Sequence, residues 1–221
     1  MTDPVLSASN ISKTYPSKDG EVSAVSDVSF SVGAGELVAL HGPSGCGKST
    51  LLMIAGGLLH PDSGDLEVAG KSPYASSNEE RAAFRAKHLG FVFQEFHLIP
   101  YLPVIENVLV PTLAEKVPNA KERANELLRR FGLGARLTHT PSALSTGEQQ
   151  RVALARALIQ QPKVVLADEP TGNLDPENAA TIMEHLQEVA DEGAAVLMVT
   201  HSREARSAAS RSLRMEDGKL V

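Results

Sequence analysis

Cysteine is almost absent from the chain, since Cys46 is the only one among its 221 residues. A single thiol excludes an internal disulfide and a metal site built from several cysteines. Long apolar runs are also missing, because a stretch such as residues 194–199 is far shorter than the ~20 residues that a membrane-spanning helix needs. The first residues, MTDPVLSASN, lack a basic segment followed by an apolar run, so no secretory signal peptide is expected. We therefore expect a cytoplasmic protein, which leaves room for partners in the membrane.

Basic residues are outnumbered, with 21 against 27 acidic ones and a formal net charge of −6. This balance argues against a general nucleic-acid binder, which needs a basic face, so no nucleic-acid partner is expected. The 42% of hydrophobic and 22% of charged residues are typical of a folded globular chain. No repeat or low-complexity tract interrupts it. The length and composition predict one compact domain over residues 1–221.

The order of hydrophobic patterns indicates an α/β fold. Strand-like segments fill the first third, ending in GELVALHG and DLEVAG, and STLLMIAGGLL has the apolar density of a packed helix. Residues 94–160 look different, because helix-like segments there alternate with prolines. KVVLADEP and AAVLMVTH then resemble buried strands separated by a helix, which indicates a parallel sheet covered on both faces. The tail LRMEDGKLV predicts a terminal hairpin with its turn at Asp217-Gly218.

The most specific motif is GPSGCGKS at residues 42–49, which fits G-x-x-x-x-G-K-[ST] between a strand and a helix. Glycines there let backbone N–H groups converge on phosphate oxygens, and the helix N-terminus adds partial positive charge. We expect Lys48 to reach the β- and γ-phosphates and the Ser49 hydroxyl to bind Mg²⁺. The alternative is a glycine-rich turn with an unrelated lysine. Because the loop uses backbone groups at Cys46, we interpret this cysteine as a small filler rather than a redox sensor.

Two carboxylates, Asp168 and Glu169, end the predicted strand KVVLA. The carboxyl ends of parallel strands face the crevice in which ligands bind. Asp168 can therefore hold Mg²⁺ through water, and Glu169 can polarise the attacking water. An acidic loop at a strand end is a common alternative. Together with the phosphate-binding loop (P-loop) at residues 42–49, however, the pair indicates a nucleotide hydrolase.

With these motifs, LSTGEQQRVALARAL followed by VVLADEPTGNLD resembles the ABC-type ATPases over nearly the whole chain. The resemblance implies that Tyr15 stacks on adenine, that Gln94 touches Mg²⁺ and water and senses a membrane partner, and that His201 contacts the γ-phosphate. It also implies that Asp175 lies in a loop that crosses to a second copy of the chain. Residues 144–148 match the signature segment that closes over ATP bound by that copy.

The implied fold is a P-loop NTPase, RecA-like core with a mixed sheet, an N-terminal antiparallel β-subdomain and an inserted α-helical subdomain. The core and β-subdomain would take approximately residues 1–93 and 161–221, and the helical subdomain approximately residues 94–160. The predicted ATP-binding residues are Tyr15, Gly42, Pro43, Ser44, Gly45, Cys46, Gly47, Lys48, Ser49, Thr50, Gln94, Ser145, Gly147 and Glu148. The predicted catalytic residues are Lys48, Glu169 and His201, and the predicted Mg²⁺ ligands are Ser49, Gln94 and Asp168.

Several of these residues have simpler explanations. Tyr15 could be an ordinary tyrosine at a strand end, Gln94 a surface glutamine and His201 a histidine with satisfied hydrogen bonds. Asp175 precedes a proline and could serve only as a helix cap, or serve both purposes. Ser145 begins an S-x-x-E capping box, which is itself a way to present a helix N-terminus to phosphate.

The signature segment departs from the commonest family sequence, LSGGQ, at two positions. Thr146 stands where the first glycine is usual, and Glu148 replaces glutamine. The glutamate is a familiar variant. Thr146 places a β-branched side chain where the two copies of the closed dimer lie close together. We therefore expect the signature segment to close over the nucleotide less readily, with catalysis retained.

The motifs are most similar to the ATPases of lipoprotein-releasing complexes and macrolide exporters. The resemblance implies an ATP-hydrolysing subunit that uses Mg²⁺, pairs with a second copy of itself, and powers a separately encoded transmembrane permease from the inner face of the membrane. Residues 96–111 could form the groove for a permease helix, with core packing as the alternative. A related ATPase that transmits force to a cell-envelope protein without transport is a further possibility.

Two other classes fit less well. ABC ATPases that act on DNA or ribosomes carry a long coiled-coil insertion or two cassettes in one chain, and this sequence has neither. A P-loop kinase or GTPase would leave the signature segment and His201 without a role.

Overall fold

Two β-sheets organise the chain in the computed structural model, which describes residues 4–17, 20–75 and 77–221. The strands are β1 (Leu6–Ser17), β2 (Gly20–Val32), β3 (Leu37–His41), β4 (Ser63–Val68), β5 (Leu89–Val92), β6 (Val164–Asp168), β7 (Ala195–Val199), β8 (Arg211–Glu216) and β9 (Lys219–Leu220). The helices are α1 (Lys48–Ala55), α2 (Asn78–His88), α3 (Val104–Leu109), α4 (Ala120–Arg130), α5 (Thr146–Leu158), α6 (Pro176–Asp191) and α7 (Arg203–Ala208). Short 3₁₀ turns cover Pro73–Ala75, Val110–Leu113 and Pro141–Ala143.

The smaller sheet is antiparallel and has the order β2-β1-β4. Its inner face follows from period-two alternation in β2, where Val28, Phe30 and Val32 are buried and the serines between them are exposed. These side chains pack against α1 and one face of the larger sheet. The smaller sheet thereby covers the helix that follows the P-loop.

The larger sheet has the order β5-β6-β7-β3-β8-β9, and every neighbouring pair up to β8 is parallel. The final pair is antiparallel and turns at residues 217–218, which confirms the predicted terminal hairpin and makes the sheet mixed. Side chains of β3 alternate between the two faces: Val38 and Leu40 pack on the α1 side, and Leu37 and Ala39 pack among α3 to α6. The sheet is therefore covered on both faces, as its apolar strands predict.

The helices α4, α5 and α6 agree with the sequence patterns, α1 is shorter than expected, and the patterns predict none of α2, α3 and α7. The helix expected over residues 49–59 ends at Ala55, because Gly57 adopts a φ of 63° that closes the last turn. Sequence analysis assigned no element to α2, although Ser77 and Glu80 form a capping box at its start. No helix in the described ranges combines the length and apolar character required to cross a bilayer.

Candidate functional site

The P-loop joins β3 to α1 at the carboxyl edge of the larger sheet. Gly47 forms the helix N-cap with a φ of 104°, a left-handed conformation that strongly favours glycine. A Cβ at this position would also collide with the Ala24 carbonyl oxygen of β2. Glycine is therefore needed at position 47 for packing against the smaller sheet as well as for phosphate binding. This residue also sets the start of α1.

Lys48 is buried and folds back over the loop that precedes it. Its Nζ donates to the carbonyl oxygens of Gly42 at 3.0 Å and Pro43 at 2.7 Å. The Cys46 sulfur lies 3.7 Å from the same nitrogen, and the cysteine itself is buried. The lysine cation is therefore held inside the P-loop by weak neutral acceptors, which a phosphate oxygen can replace with a charge-assisted bond.

Asp168 ends β6 beside the first turn of α1. Burial raises the pKa of its carboxyl, while the positive charges of Lys48 and His201 and a hydrogen bond from the Ser49 hydroxyl oppose that rise. A buried carboxylate with its charge only partly offset is suited to a cation. This environment agrees with the Mg²⁺ role predicted for Asp168.

Glu169 follows immediately and has a φ of 45°, an unusual conformation for a non-glycine residue. Its backbone N–H donates to the Val199 carbonyl at 3.0 Å, which anchors the turn to the end of β7. The carboxylate Oε2 accepts from the His201 backbone N–H at 3.2 Å. Oε1 lies 3.3 Å from the His201 Nε2 but is buried without a hydrogen bond in the described part of the chain. Because this oxygen accepts no hydrogen bond in the described part of the chain, it can accept a proton from water beside the His201 ring.

A cavity of about 510 Å³ opens at this edge of the sheet and gathers most of the predicted catalytic and nucleotide-binding residues. Those that line it are Ser44, Gly45, Gly47, Lys48, Ser49, Thr50, Gln94, Asp168, Glu169 and His201. Ala24, Gly172 and Val199 line it too, although none of them is among the predicted site residues. Gly42 and Pro43 border a neighbouring cavity instead, and Cys46 is buried beneath the loop.

Oxygen donors in this cavity suit Mg²⁺, which prefers carboxylate, hydroxyl and amide oxygens together with water and substrate phosphates. Ser49 on α1, Asp168 at the end of β6 and Gln94 in the turn after β5 supply them. Within the described ranges, no cluster of three or more histidine, cysteine, aspartate or glutamate residues could hold a metal. Mg²⁺ is typically bound by one or two carboxylates plus phosphates, so the residues present fit this ion when a nucleotide accompanies it.

The other predicted residues lie outside the cavity. Tyr15 is 38% exposed near the end of β1, with the Lys13 Nζ 5.8 Å from its ring centroid. Ser145, Gly147 and Glu148 lie at the start of α5, and Asp175 caps α6. One copy of the chain therefore does not bring the signature segment to its own P-loop.

The signature segment is a capping box reinforced by an ion pair. Ser145 Oγ accepts from the Glu148 backbone N–H at 3.2 Å, and Glu148 Oε2 accepts from the Ser145 backbone N–H at 2.9 Å. Arg136 donates to the other oxygen of Glu148 at 2.8 Å. The Ser145 N–H and this guanidinium keep the pKa of Glu148 below its usual value. The side chain of Thr146 faces solvent, so it is placed to meet whatever closes over the segment.

Asn178 connects the Asp175 loop to the signature helix, a link that the sequence motifs do not reveal. Asp175 Oδ1 accepts from its backbone N–H at 2.9 Å and Oδ2 from its side-chain amide at 2.6 Å. The Asn178 Oδ1 accepts from Arg151 Nη1 of α5 at 2.9 Å and touches Gly147, where a Cβ would not fit. The asparagine is part of the PENAATIM helix pattern, so only tertiary contact identifies it.

Arg156 is a second residue that sequence reasoning missed. Its guanidinium, on α5, donates at 2.5 Å to each of the carbonyl oxygens of Phe96 and His97. Both acceptor residues have positive φ values, 53° and 47°. The arginine therefore holds the segment that follows Gln94 against the signature helix.

Comparisons with known proteins place this geometry in a family. The family model described as ABC transporter matches residues 25–172. The lipoprotein-releasing system ATP-binding protein LolD of Maricaulis maris is 46% identical over 100% of this chain and 98% of its own length. The macrolide export ATP-binding/permease protein MacB of Burkholderia pseudomallei is 42% identical over 100% of this chain but 34% of its own length.

Solved structures agree with these relatives. The dimeric structure of MJ0796, a bacterial ABC transporter cassette, superposes with a TM-score of 0.89 at 36% identity, covering 97% of this chain and 96% of that one. A second dimeric structure of the same cassette, in a post-hydrolysis state bound to ADP and Pi, has the same TM-score at 35% identity and the same coverage of both chains. The α/β fold predicted from the sequence is thus confirmed as that of ABC ATPase cassettes. The chain belongs to the ABC transporter family.

Proposed function

We propose that this chain is an ATP-binding and ATP-hydrolysing subunit that powers a separate transmembrane permease, of the ABC exporter or lipoprotein-releasing type, through ATP-driven closure of a dimer. The observation that carries the proposal is one cavity that gathers the P-loop, Asp168 and Glu169, whose buried Oε1 accepts no hydrogen bond in the described residues. Names of the relatives, a lipoprotein-releasing ATP-binding protein and a macrolide exporter, support the transport role.

We assign a role in hydrolysis to six of the residues that line the cavity. Lys48 exchanges its carbonyl acceptors for β- and γ-phosphate oxygens. Ser49, Gln94 and Asp168 would hold Mg²⁺, which when bound neutralises charge on the phosphates. Glu169 accepts the proton of the attacking water, and His201 orients Glu169 and faces the γ-phosphate.

A second copy of the chain would complete the site. Ser145 and Gly147 present the N-terminus of a thirteen-residue helix away from their own P-loop. Such a terminus carries partial positive charge suited to phosphate. In a two-fold dimer each copy can offer its signature segment to the nucleotide of the other, while Asp175 lies in the connecting loop.

The permease would hold the chain at the inner face of the membrane. Core packing explains part of the segment predicted to form its groove, because Val104 and Val108 are buried and Asn107 is hydrogen-bonded internally. Tyr101 is different: it is 77% exposed on the same segment, and Leu113 just beyond it is 88% exposed. We assign the contact to this exposed part.

Purification of the membrane partner tests the proposal. The tagged chain is isolated from its native host with the membrane protein it binds, and the complex is reconstituted in lipid vesicles. We expect ATP hydrolysis that the partner stimulates, and a Glu169→Gln complex that assembles normally but hydrolyses ATP at least ~100-fold more slowly. A wild-type complex that binds Mg-ATP without hydrolysing it would contradict the proposal, as would hydrolysis with no membrane protein co-purifying.

A further inference from the structure

A second polar cavity, of about 330 Å³, adjoins the P-loop and has no role in the mechanism above. His201 lines both this cavity and the nucleotide site, and the first two P-loop residues, Gly42 and Pro43, line this cavity but not the nucleotide site. The other lining residues are His41 at the end of β3, Thr200 just after β7, Arg206 on α7, and Arg214 and Glu216 on β8. The cavity is therefore lined by two arginines and two histidines against one carboxylate.

Arg214 and Glu216 form an ion pair, which leaves Arg206 as the uncompensated cation. No carboxylate pairs with Arg206 in the parts of the chain that the structure describes, and its buried Nε has no hydrogen-bond acceptor there. Glu204, on the same helix, lines a different groove and accepts from the Ser202 hydroxyl at 2.8 Å. A guanidinium without a carboxylate partner has donors to offer to an anion.

The positive charge of this cavity affects the ring of His41. Arg206 Nη1 lies 3.3 Å from its Nδ1. Because arginine stays protonated and can only donate, Nδ1 must accept, so the ring proton is on Nε2. Burial lowers the pKa of His41, and the positive charges of Arg206, Arg214 and Lys48 lower it further. His201 and Glu216 are the other titratable groups that face the cavity.

We propose that this cavity is an anion site, separate from the nucleotide site, that binds free inorganic phosphate beside the P-loop. Arg206 supplies N–H donors that no carboxylate engages in the described part of the chain, and Arg214 and His41 add donors from the opposite walls. The wall shared with the nucleotide cavity places the site next to the loop that would hold the terminal phosphate. As a binding site it does not depend on the proposed function, since phosphate binding needs no hydrolysis.

Phosphate titration of the chain saturated with Mg-ADP tests the proposal. We expect phosphate to bind with the nucleotide present, and both Arg206→Gln and Arg214→Gln to raise its Kd at least about tenfold, since hydrogen bonds to charged groups are of that strength. Arg203→Gln is the matched control, because it removes an exposed arginine of α7 that lies outside the cavity. Its Kd should stay within about twofold of wild type, since exposed charges at a distance are screened. Arg214 is more than half exposed, so its variant keeps the test usable if Arg206→Gln folds poorly.

The titration of His41, followed by NMR, gives an independent readout. A bound anion stabilises the imidazolium, so phosphate should raise the pKa of His41 in the wild type and in Arg203→Gln, and fail to do so in Arg214→Gln. Absence of phosphate binding would overturn the proposal. Equal binding by the wild type and both cavity variants would also overturn it, because the anion would then lie elsewhere, including at the γ-phosphate position of the nucleotide site.

Discussion

At the scale of single residues, the nucleotide cavity contains charged side chains whose charges are only partly offset by neighbouring groups. Lys48 donates to two carbonyl oxygens and the Cys46 sulfur, all of them neutral, and Glu169 keeps one buried oxygen without a hydrogen bond in the described structure. Such groups cost stability in the empty protein, because buried charge is expensive without a partner. The same groups are ready to act on a nucleotide, since little must be broken before they bind it.

Replacing Lys48 with alanine removes the lysine cation that reaches the predicted phosphate position. We expect Lys48→Ala to abolish ATP hydrolysis and to weaken ATP binding by roughly 10–100-fold, the strength of a hydrogen bond to a charged group. Hydrolysis assays and titration with a fluorescent ATP analogue measure both effects. Lys121→Ala, at an exposed position on α4, serves as the control and should behave as wild type. Hydrolysis by Lys48→Ala within threefold of wild type would refute the assigned role.

Tyr15 remains a prediction of the sequence, because it lies outside the cavity and is partly exposed. If its ring stacks on adenine, Tyr15→Ala should raise the Kd for ATP by an amount that corresponds to ~1–3 kcal/mol, the value of one base–aromatic stack. Tyr15→Phe retains the ring and should bind ATP as the wild type does. An unchanged Kd for the alanine variant would identify Tyr15 as a strand residue only.

At the scale of elements, α5 is the part that connects the site to its surroundings. Its first turn contains the signature capping box, Arg151 reaches the start of α6, and Arg156 holds the segment after Gln94. A rigid helix with contacts at both ends is suited to transmit movement between a membrane contact and a second copy. The individual contacts can be tested separately.

The stability that Glu148 contributes at the start of α5 depends on pH. The pKa of its carboxyl is lowered in the folded chain, so the stability it contributes is present above its ordinary value of 4.5 and is lost as the pH falls through the lowered value. Glu148→Gln should therefore lose less thermal stability than wild type between neutral pH and that acidic range. Tm measured against pH tests this, with Glu126→Gln, an exposed glutamate of α4, as the control. Parallel curves for wild type and Glu148→Gln would contradict it.

Asn178 tests the connection between the Asp175 loop and the signature helix. Asn178→Ala removes the acceptor of Arg151 and one donor to Asp175, and should lower ATP hydrolysis more than it lowers ATP affinity in the monomer. Stability should fall by about 1–2 kcal/mol, as for other side-chain hydrogen bonds of this kind. Asn125→Ala, which removes a bond within α4, is the matched control. Equal losses of hydrolysis in the two variants would assign Asn178 a purely structural role.

At the scale of the whole molecule, a single chain does not bring the two halves of the proposed site, the P-loop and the signature segment, together. The signature segment and the P-loop belong to different elements and do not share a cavity. A two-fold arrangement removes the difficulty, because each copy then supplies what the other lacks. Nucleotide would in that case act as part of the interface.

The Glu169→Gln variant tests this arrangement. It keeps the shape of the side chain and removes the carboxylate that activates water, so it should bind Mg-ATP and accumulate as a dimer in sedimentation experiments. Adding Ser145→Arg places a bulky side chain at the signature of the opposing copy and should return the protein to monomer with ATP binding intact. If Glu169→Gln stays monomeric alone, the measurement is repeated with the membrane partner, which can hold two copies together. No ATP-dependent closure in that complex would refute the shared site.

The sequence by itself determined the parts that depend on local geometry. The P-loop needs a strand, a helix and backbone N–H groups within eight residues, so its pattern was sufficient, and Asp168 and Glu169 followed from the rule that ligands bind at the ends of parallel strands. The terminal hairpin was similarly local. The division near residues 94 and 160 and the roles of individual site residues remain predictions.

Only the tertiary structure decided contacts between distant parts of the chain. His41, Arg206 and Arg214 meet because β8 pairs with β3 and α7 packs beside it, although more than 160 residues separate the first from the other two. Asn178 and Arg151 likewise meet through the packing of α6 on α5. No motif predicts these contacts, although Arg151 lies within LSTGEQQRVALARAL, because each contact depends on neighbours that sequence spacing does not reveal. Backbone patterns encode which element forms, whereas the burial and pairing of charges are set when the elements pack together.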